Sequence, residues 1–162
     1  MPDPVDQPLH RPWRSRHGVL LGGLLALFVV TGSAPAQTPA SSEILVVVSR
    51  QSPVTTLDSD TVADLFLGAS SRFPDGRGAH VIDQSDRQDI KRRFYAQVAE
   101  MSLQQLRSHQ ARLLFSGRAT PPQQAENSSL VAELVTRDPS AIGYIDPAAL
   151  HDRLRVVLRI NP

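Results

Sequence analysis

Residues 44–48 read Ile44-Leu45-Val46-Val47-Val48, an unbroken apolar run in which four of the five residues are β-branched. A run this short falls below the usual length of a helix. Because it does not alternate with polar residues, it predicts a strand covered on both faces. Strands of that kind belong to parallel sheets with helices on either side. Outward from this run, Asp58 is placed to cap a helix, Leu57 to staple onto Val62, and Val62, Leu65 and Phe66 share one helical face that Gly68 ends. Phe73-Pro74-Asp75-Gly76 reads as a turn leading into a strand at 79–83.

The following segments repeat the alternation. Ser85 with Gln88 has capping-box spacing and predicts a helix that starts at Ser85 and buries Ile90, Phe94 and Val98. Ser102 with Gln105 predicts another, with Leu103, Leu106, Gln110, Leu113 and Leu114 on its inner face and Gly117 at its close. Residues 116–124 contain Pro121-Pro122 and read as a loop. Asn127 or Ser128 then caps a helix carrying Val131, Leu134 and Val135, which Asp138-Pro139 stops. Strands are predicted at 141–145 and 154–160, with a helix start at Asp146-Pro147 between them. The expected fold class is α/β, a mainly parallel sheet flanked by helices.

The chain has 162 residues, 17 Lys and Arg against 16 Asp and Glu, and no cysteine. That balance carries no concentrated basic footprint, so nucleic acid is not an expected partner. Without cysteine there are no disulfides, thiolate nucleophiles or zinc-thiolate sites. At the N-terminus, Arg11, Arg14 and Arg16 precede an uncharged stretch over 19–32, followed by Ala34-Pro35-Ala36. This order is that of a secretory signal peptide cleaved after Ala36, and the apolar stretch is short of the ~20 residues that span a bilayer. The expected organisation is therefore a signal peptide over 1–36, a linker over 37–43 and one domain over 44–162, with no membrane span once the leader is removed. Cleavage leaves 126 residues, in which the loss of Arg11, Arg14, Arg16, Asp3 and Asp6 brings the charge to 14 basic against 14 acidic.

Candidate chemistry is sparse. His80, His109 and His151 are the only imidazoles beyond the leader, no Gly-x-Ser-x-Gly elbow accompanies them, and no His or acidic spacing fits a metal site. An enzyme is not expected, and neither a cofactor nor a metal is implied. The feature with chemical content is Asp83-Gln84-Ser85-Asp86-Arg87, a strand-to-helix junction where backbone N–H groups and the helix dipole favour an anion. Arg87, Lys91, Arg92 and Arg93 add positive charge, whereas Asp83, Asp86 and Asp89 oppose it.

Several segments together resemble a known family. Residues 57–76 (LDSDTVADLFLGASSRFPDG), 92–122 and 141–146 (AIGYID) are similar to short, single-lobe members of the phosphate-type substrate-binding proteins of ABC transporters, chiefly through Leu65-Phe66-Leu67-Gly68, Phe115-Ser116-Gly117 with Pro121-Pro122, and Ala141-Ile142-Gly143-Tyr144. The resemblance spans roughly residues 44–160. It implies one lobe of a type 2 periplasmic binding fold and a secreted, non-enzymatic role in the periplasm, binding phosphate or another small oxyanion for uptake or sensing. It also implies a membrane permease or envelope sensor as partner. Ser85, Asp86 and Arg87 would be the contacts, with Ser49 and Arg50 across the cleft. The chain departs from the family in lacking the glycines of the binding loop and a whole second lobe. An envelope interaction module with a degenerate site, self-associating as a homodimer or bound to another protein, is therefore the alternative expectation.

Overall fold

The run at 44–48 lies in strand β1 (Ile44–Ser49), buried at every position. A computed structural model describes residues 43–117 and 122–161; the expected signal peptide, most of the linker and part of the Pro121-Pro122 loop lie outside these residues. Helix α1 (Ser59–Leu67) follows β1, then β2 (His80–Gln84), α2 (Asp89–Val98), α3 (Leu103–Phe115), β3 (Gln123–Ala125), α4 (Ser128–Arg137), β4 (Ala141–Ile145), a 3₁₀ turn (Pro147–Ala149) and β5 (Leu154–Ile160). The strands form one sheet in the order β3-β2-β4-β1-β5.

β2 pairs in parallel with both β3 and β4, whereas β1 is antiparallel to both β4 and β5. Four strands thus run one way and β1 runs against them. This corrects the parallel direction expected for β1. Burial on two faces and strand direction are separate properties, and only the first is written in the apolar run. The two-sided burial itself is as expected. Ile44, Val46 and Val48 pack with α1, α2 and α3, while Leu45 and Val47 pack with Val131, Ala132 and Val135 of α4. Each face of the strand thus supplies a separate core.

Local signals placed most helices. The Asp58 carboxylate accepts the Thr61 N–H at 2.7 Å, and Gly68 takes φ 74° at the C-terminus of α1. The Ser102–Gln105 capping box is formed in both directions, and Asn127 caps α4 through the Leu130 N–H at 3.0 Å. The Gly76 N–H closes the turn onto the Phe73 carbonyl at 2.9 Å. Gly143 is where α4 meets β4. A Cβ there would stand 2.4 Å from Val131 Cγ1, so only glycine admits this approach.

Three expectations change. α2 begins at Asp89 rather than at Ser85, and its first turn has no side-chain cap. A short strand, β3, occupies part of the segment expected to be loop. On α3, Leu106 is buried and Leu103 partly so, but Leu114 is 53% and Phe115 90% exposed, so the expected inner face does not reach the end of the helix.

Candidate functional site

β2 and β4 end together, and the turn 85–88 rises from the carboxyl end of β2 towards α2. Below this turn lies a buried polar network that sequence reasoning missed. Asp83 is fully buried and Lys91 nearly so, joined at 2.8 Å. Tyr144 donates to Asp83 Oδ1 at 2.6 Å, Tyr95 donates to Oδ2 at 3.2 Å, and the Gln84 N–H adds a bond at 2.8 Å. A carboxylate taken out of water is tolerated only with such partners. Burial, and then the Asp83 charge, push both phenols well above their ordinary value of 10.0. Phe94 stacks on Tyr144 with ring centres 3.9 Å apart, which seals the network from solvent.

One signal for Lys91 was present. In α2 the buried residues are Ile90, Lys91, Phe94, Tyr95 and Val98, so the lysine occupies a position on the apolar stripe. Within the basic triplet Lys91-Arg92-Arg93, only this spacing distinguishes it.

Lys91 also bonds Asp86 at 2.9 Å, and Arg107 of α3 reaches the same carboxylate at 2.8 Å. The hydrogen bond from Lys91, reinforced by Arg107, holds the Asp86 carboxyl below the usual carboxylate range. Asp89 is paired with Arg92 and Arg93, and Arg93 also reaches Asp146. Arg87 is exposed, and within the described residues its guanidinium has no partner among the carboxylates of the turn. Ser85 is not a helix cap. Its N–H donates to the Ala125 carbonyl at 2.9 Å, prolonging the β2–β3 ladder, and its hydroxyl accepts the Arg87 N–H at 3.4 Å. The cap position falls to Gln88, whose side chain makes no cap bond; the Gln88 N–H donates to the Ser85 carbonyl at 3.0 Å and the Lys91 N–H to the Gln88 carbonyl at 3.1 Å, so in the first turn of α2 the Asp89 and Ile90 N–H groups are the ones without an acceptor among the described residues.

Ser85, Asp86 and Arg87 therefore share one turn, but Ser49 and Arg50 do not join them. Ser49 is level with the start of β4, and the start of β4 is level with His80. The end of β2 lies four residues further, about 13 Å along the strand. The reversed direction of β1 is the cause. Ser49 is buried and donates to the Thr136 carbonyl at 3.5 Å, and the Arg50 backbone is tied to Arg153 and Arg155. Of the histidines, His109 contacts the Leu67 carbonyl at 2.9 Å and His80 pairs with Asp138 at 2.9 Å. Among the described residues no three His, Asp or Glu side chains gather as a metal site, and no helix is long and apolar enough to cross a membrane.

The architecture is that of one lobe of periplasmic-binding-protein-like folds. A candidate phosphate ABC transporter substrate-binding protein with bound phosphate from Clostridium perfringens superposes with TM-score 0.56 at 18% identity, over 70% of this chain and 43% of that one. An ABC-type phosphate transport receptor from Vibrio cholerae gives TM-score 0.56 at 14% identity, over 70% and 44%. PstS from Borrelia burgdorferi gives 0.51 at 12%, over 70% and 46%. The chain thus spans under half the length of these proteins, and at such identities the likeness is one of fold. No family model and no curated protein matches the chain.

Proposed function

We propose that this chain is a secreted, non-enzymatic solute-binding-like lobe that meets a small oxyanion, phosphate first among them, at the turn 85–88. The observation that carries the reading is the open start of α2. Side chains cap α1, α3 and α4, but none caps α2, whose Asp89 and Ile90 N–H groups have no acceptor among the described residues, and the Arg87 guanidinium beside them meets no carboxylate there. Uncapped N–H groups and the positive end of a helix are the elements of an anion site. The fold neighbours named as phosphate proteins point the same way. Asp86 and Asp89 stand close by, and each is neutralised by two cations, so they weaken an incoming anion's binding without abolishing it. Ser49 and Arg50 have no part in the site; the other wall of a cleft would come from a partner.

Isothermal titration of the purified protein with phosphate and with sulfate tests this reading. Weak binding, near ~1 mM or about −4 kcal/mol, is expected, falling with added salt and lost in Arg87→Ala. Absence of heat at millimolar phosphate overturns it.

A second reading has its own observation. The carboxylate of Asp86, clamped by Lys91 and Arg107, stands at the turn where a ligand would enter. On that reading the lobe is an accessory of an envelope permease or sensor and works through protein contacts. Capture of a permease or sensor component by the protein, unaffected by Arg87→Ala, would favour it.

A further inference from the structure

Asp86 stands inside the turn 85–88, one residue before Arg87, and Lys91, with Arg107 after it, holds its carboxyl below the usual range, so that it is ionised at neutral pH. A negative charge at this point repels an oxyanion. Lys91 does not cancel it alone. The same ammonium lies 2.8 Å from Asp83, which is fully buried and depends on it, and 2.9 Å from Asp86. One cation shared by two carboxylates leaves one negative charge over. Arg107, with Nε 2.8 Å from Asp86 Oδ2, supplies the second cation.

Arg107 comes from another element, 21 residues further along the chain, and α3 is fixed so as to deliver it. The Ser102–Gln105 capping box sets where the helix begins, Leu106 is buried in the core, and His109 Nε2 lies 2.9 Å from the Leu67 carbonyl at the end of α1. Between those two anchored residues, Arg107 reaches across to the turn with a side chain that stays 63% exposed. An ion pair so exposed adds little to folding. Its weight falls on the charge of the turn. Asp89 and Asp146 are matched by Arg92 and Arg93, and Asp83 and Asp86 by Lys91 and Arg107. With Arg107 in place the group is net positive by the charge of Arg87; without Arg107 it is neutral.

We infer that Arg107 is a positioning residue of the oxyanion site: from α3 it neutralises Asp86 and so leaves the turn 85–88 net positive, acting through that carboxylate and not by touching the ligand. The inference rests on the reading of the turn as an oxyanion site. It adds a residue that no local pattern around the turn contains, and it makes Asp86 the element that opposes binding and Arg107 the element that lifts the opposition.

Titration of inorganic phosphate into the ¹⁵N-labelled protein at low ionic strength, followed at the Asp89 and Ile90 amides, tests the assignment. Arg107→Ala is expected to weaken binding about fivefold, the effect in water of one unit charge ~4 Å from another, and Arg107→Lys to restore most of it. Asp86→Asn removes the charge that Arg107 answers, so adding it to Arg107→Ala should return the affinity to that of the unaltered protein. Added salt should narrow the gap between the unaltered protein and Arg107→Ala as the charges are screened. The thermal midpoint and circular dichroism of Arg107→Ala should stay close to those of the unaltered protein, because the pair is exposed and alanine suits a helix, which separates lost affinity from lost fold. Equal phosphate affinity with and without Arg107 overturns the inference and leaves the turn as an oxyanion site. An Arg107→Ala defect that Asp86→Asn does not rescue overturns it too, since Arg107 would then touch the anion itself. No phosphate shifts in the unaltered protein overturn the site and the inference together.

Discussion

Lys91 shows how far one residue's surroundings can depart from its local sequence. Flanked by two arginines, it is nevertheless buried to 1% exposure with Asp83 at 2.8 Å and Asp86 at 2.9 Å. Removing one partner of a buried pair strands the other charge, which typically costs ~3–5 kcal/mol. Lys91→Met is therefore expected to lower the unfolding free energy obtained by urea titration by about that much, and Lys91→Met combined with Asp83→Leu should recover part of the loss. A loss below 1 kcal/mol in the single variant would show that the pair is solvated. At Gly143 the constraint is steric. Gly143→Ala pushes a methyl into Val131, and overpacking of this kind costs ~1–3 kcal/mol. Thermal unfolding would register the change as a lower midpoint with the same far-ultraviolet spectrum.

Among the elements, α2 separates what was legible in the sequence from what was not. The cap at Asp58 and the capping box at Ser102 are local devices, and both were readable because the bonds that define them stay within one turn. Ser85 and Gln88 have the same spacing, yet no cap forms. The Ser85 N–H is drawn to Ala125 on β3, and Asp86 is drawn to Lys91 and Arg107, so long-range partners override the local pattern. β3 itself was hidden because Gln123-Gln124-Ala125 has no β-branched residue and is held by its ladder to β2. β1's direction was equally unreadable, and with it went the pairing of Ser49 and Arg50 with the turn 85–88. One consequence is testable at this scale. Gln88→Asp supplies the missing cap, so it should stabilise the protein by ~0.5–2 kcal/mol and weaken phosphate binding. Stabilisation with undiminished binding would remove α2's N–H groups from the site.

In the whole molecule, the polar network ties stability to pH at both ends. The two tyrosines of the chain, Tyr95 and Tyr144, are both in it. Their folded-state ionisation lies above that of the unfolded chain, so their contribution is complete below pH ~10 and lost as pH rises beyond it. Phenolate absorbance should therefore appear only together with loss of the native circular dichroism; phenolate formed while the fold is intact would contradict a sealed network. Asp86 acts in the other direction. Its folded-state value is depressed, so its contribution is present above pH ~4 and is lost as pH falls through the folded value.

The central claim is that the uncapped start of α2, with Arg87, is where a small oxyanion is met. Titrating phosphate into the ¹⁵N-labelled protein and following each backbone amide tests it most directly. The account predicts saturable shifts at the amides of Arg87 to Ile90, abolished in Arg87→Ala, with Ser49 and Arg50 unmoved. Shifts confined to other parts of the fold, or none at millimolar phosphate, would contradict it.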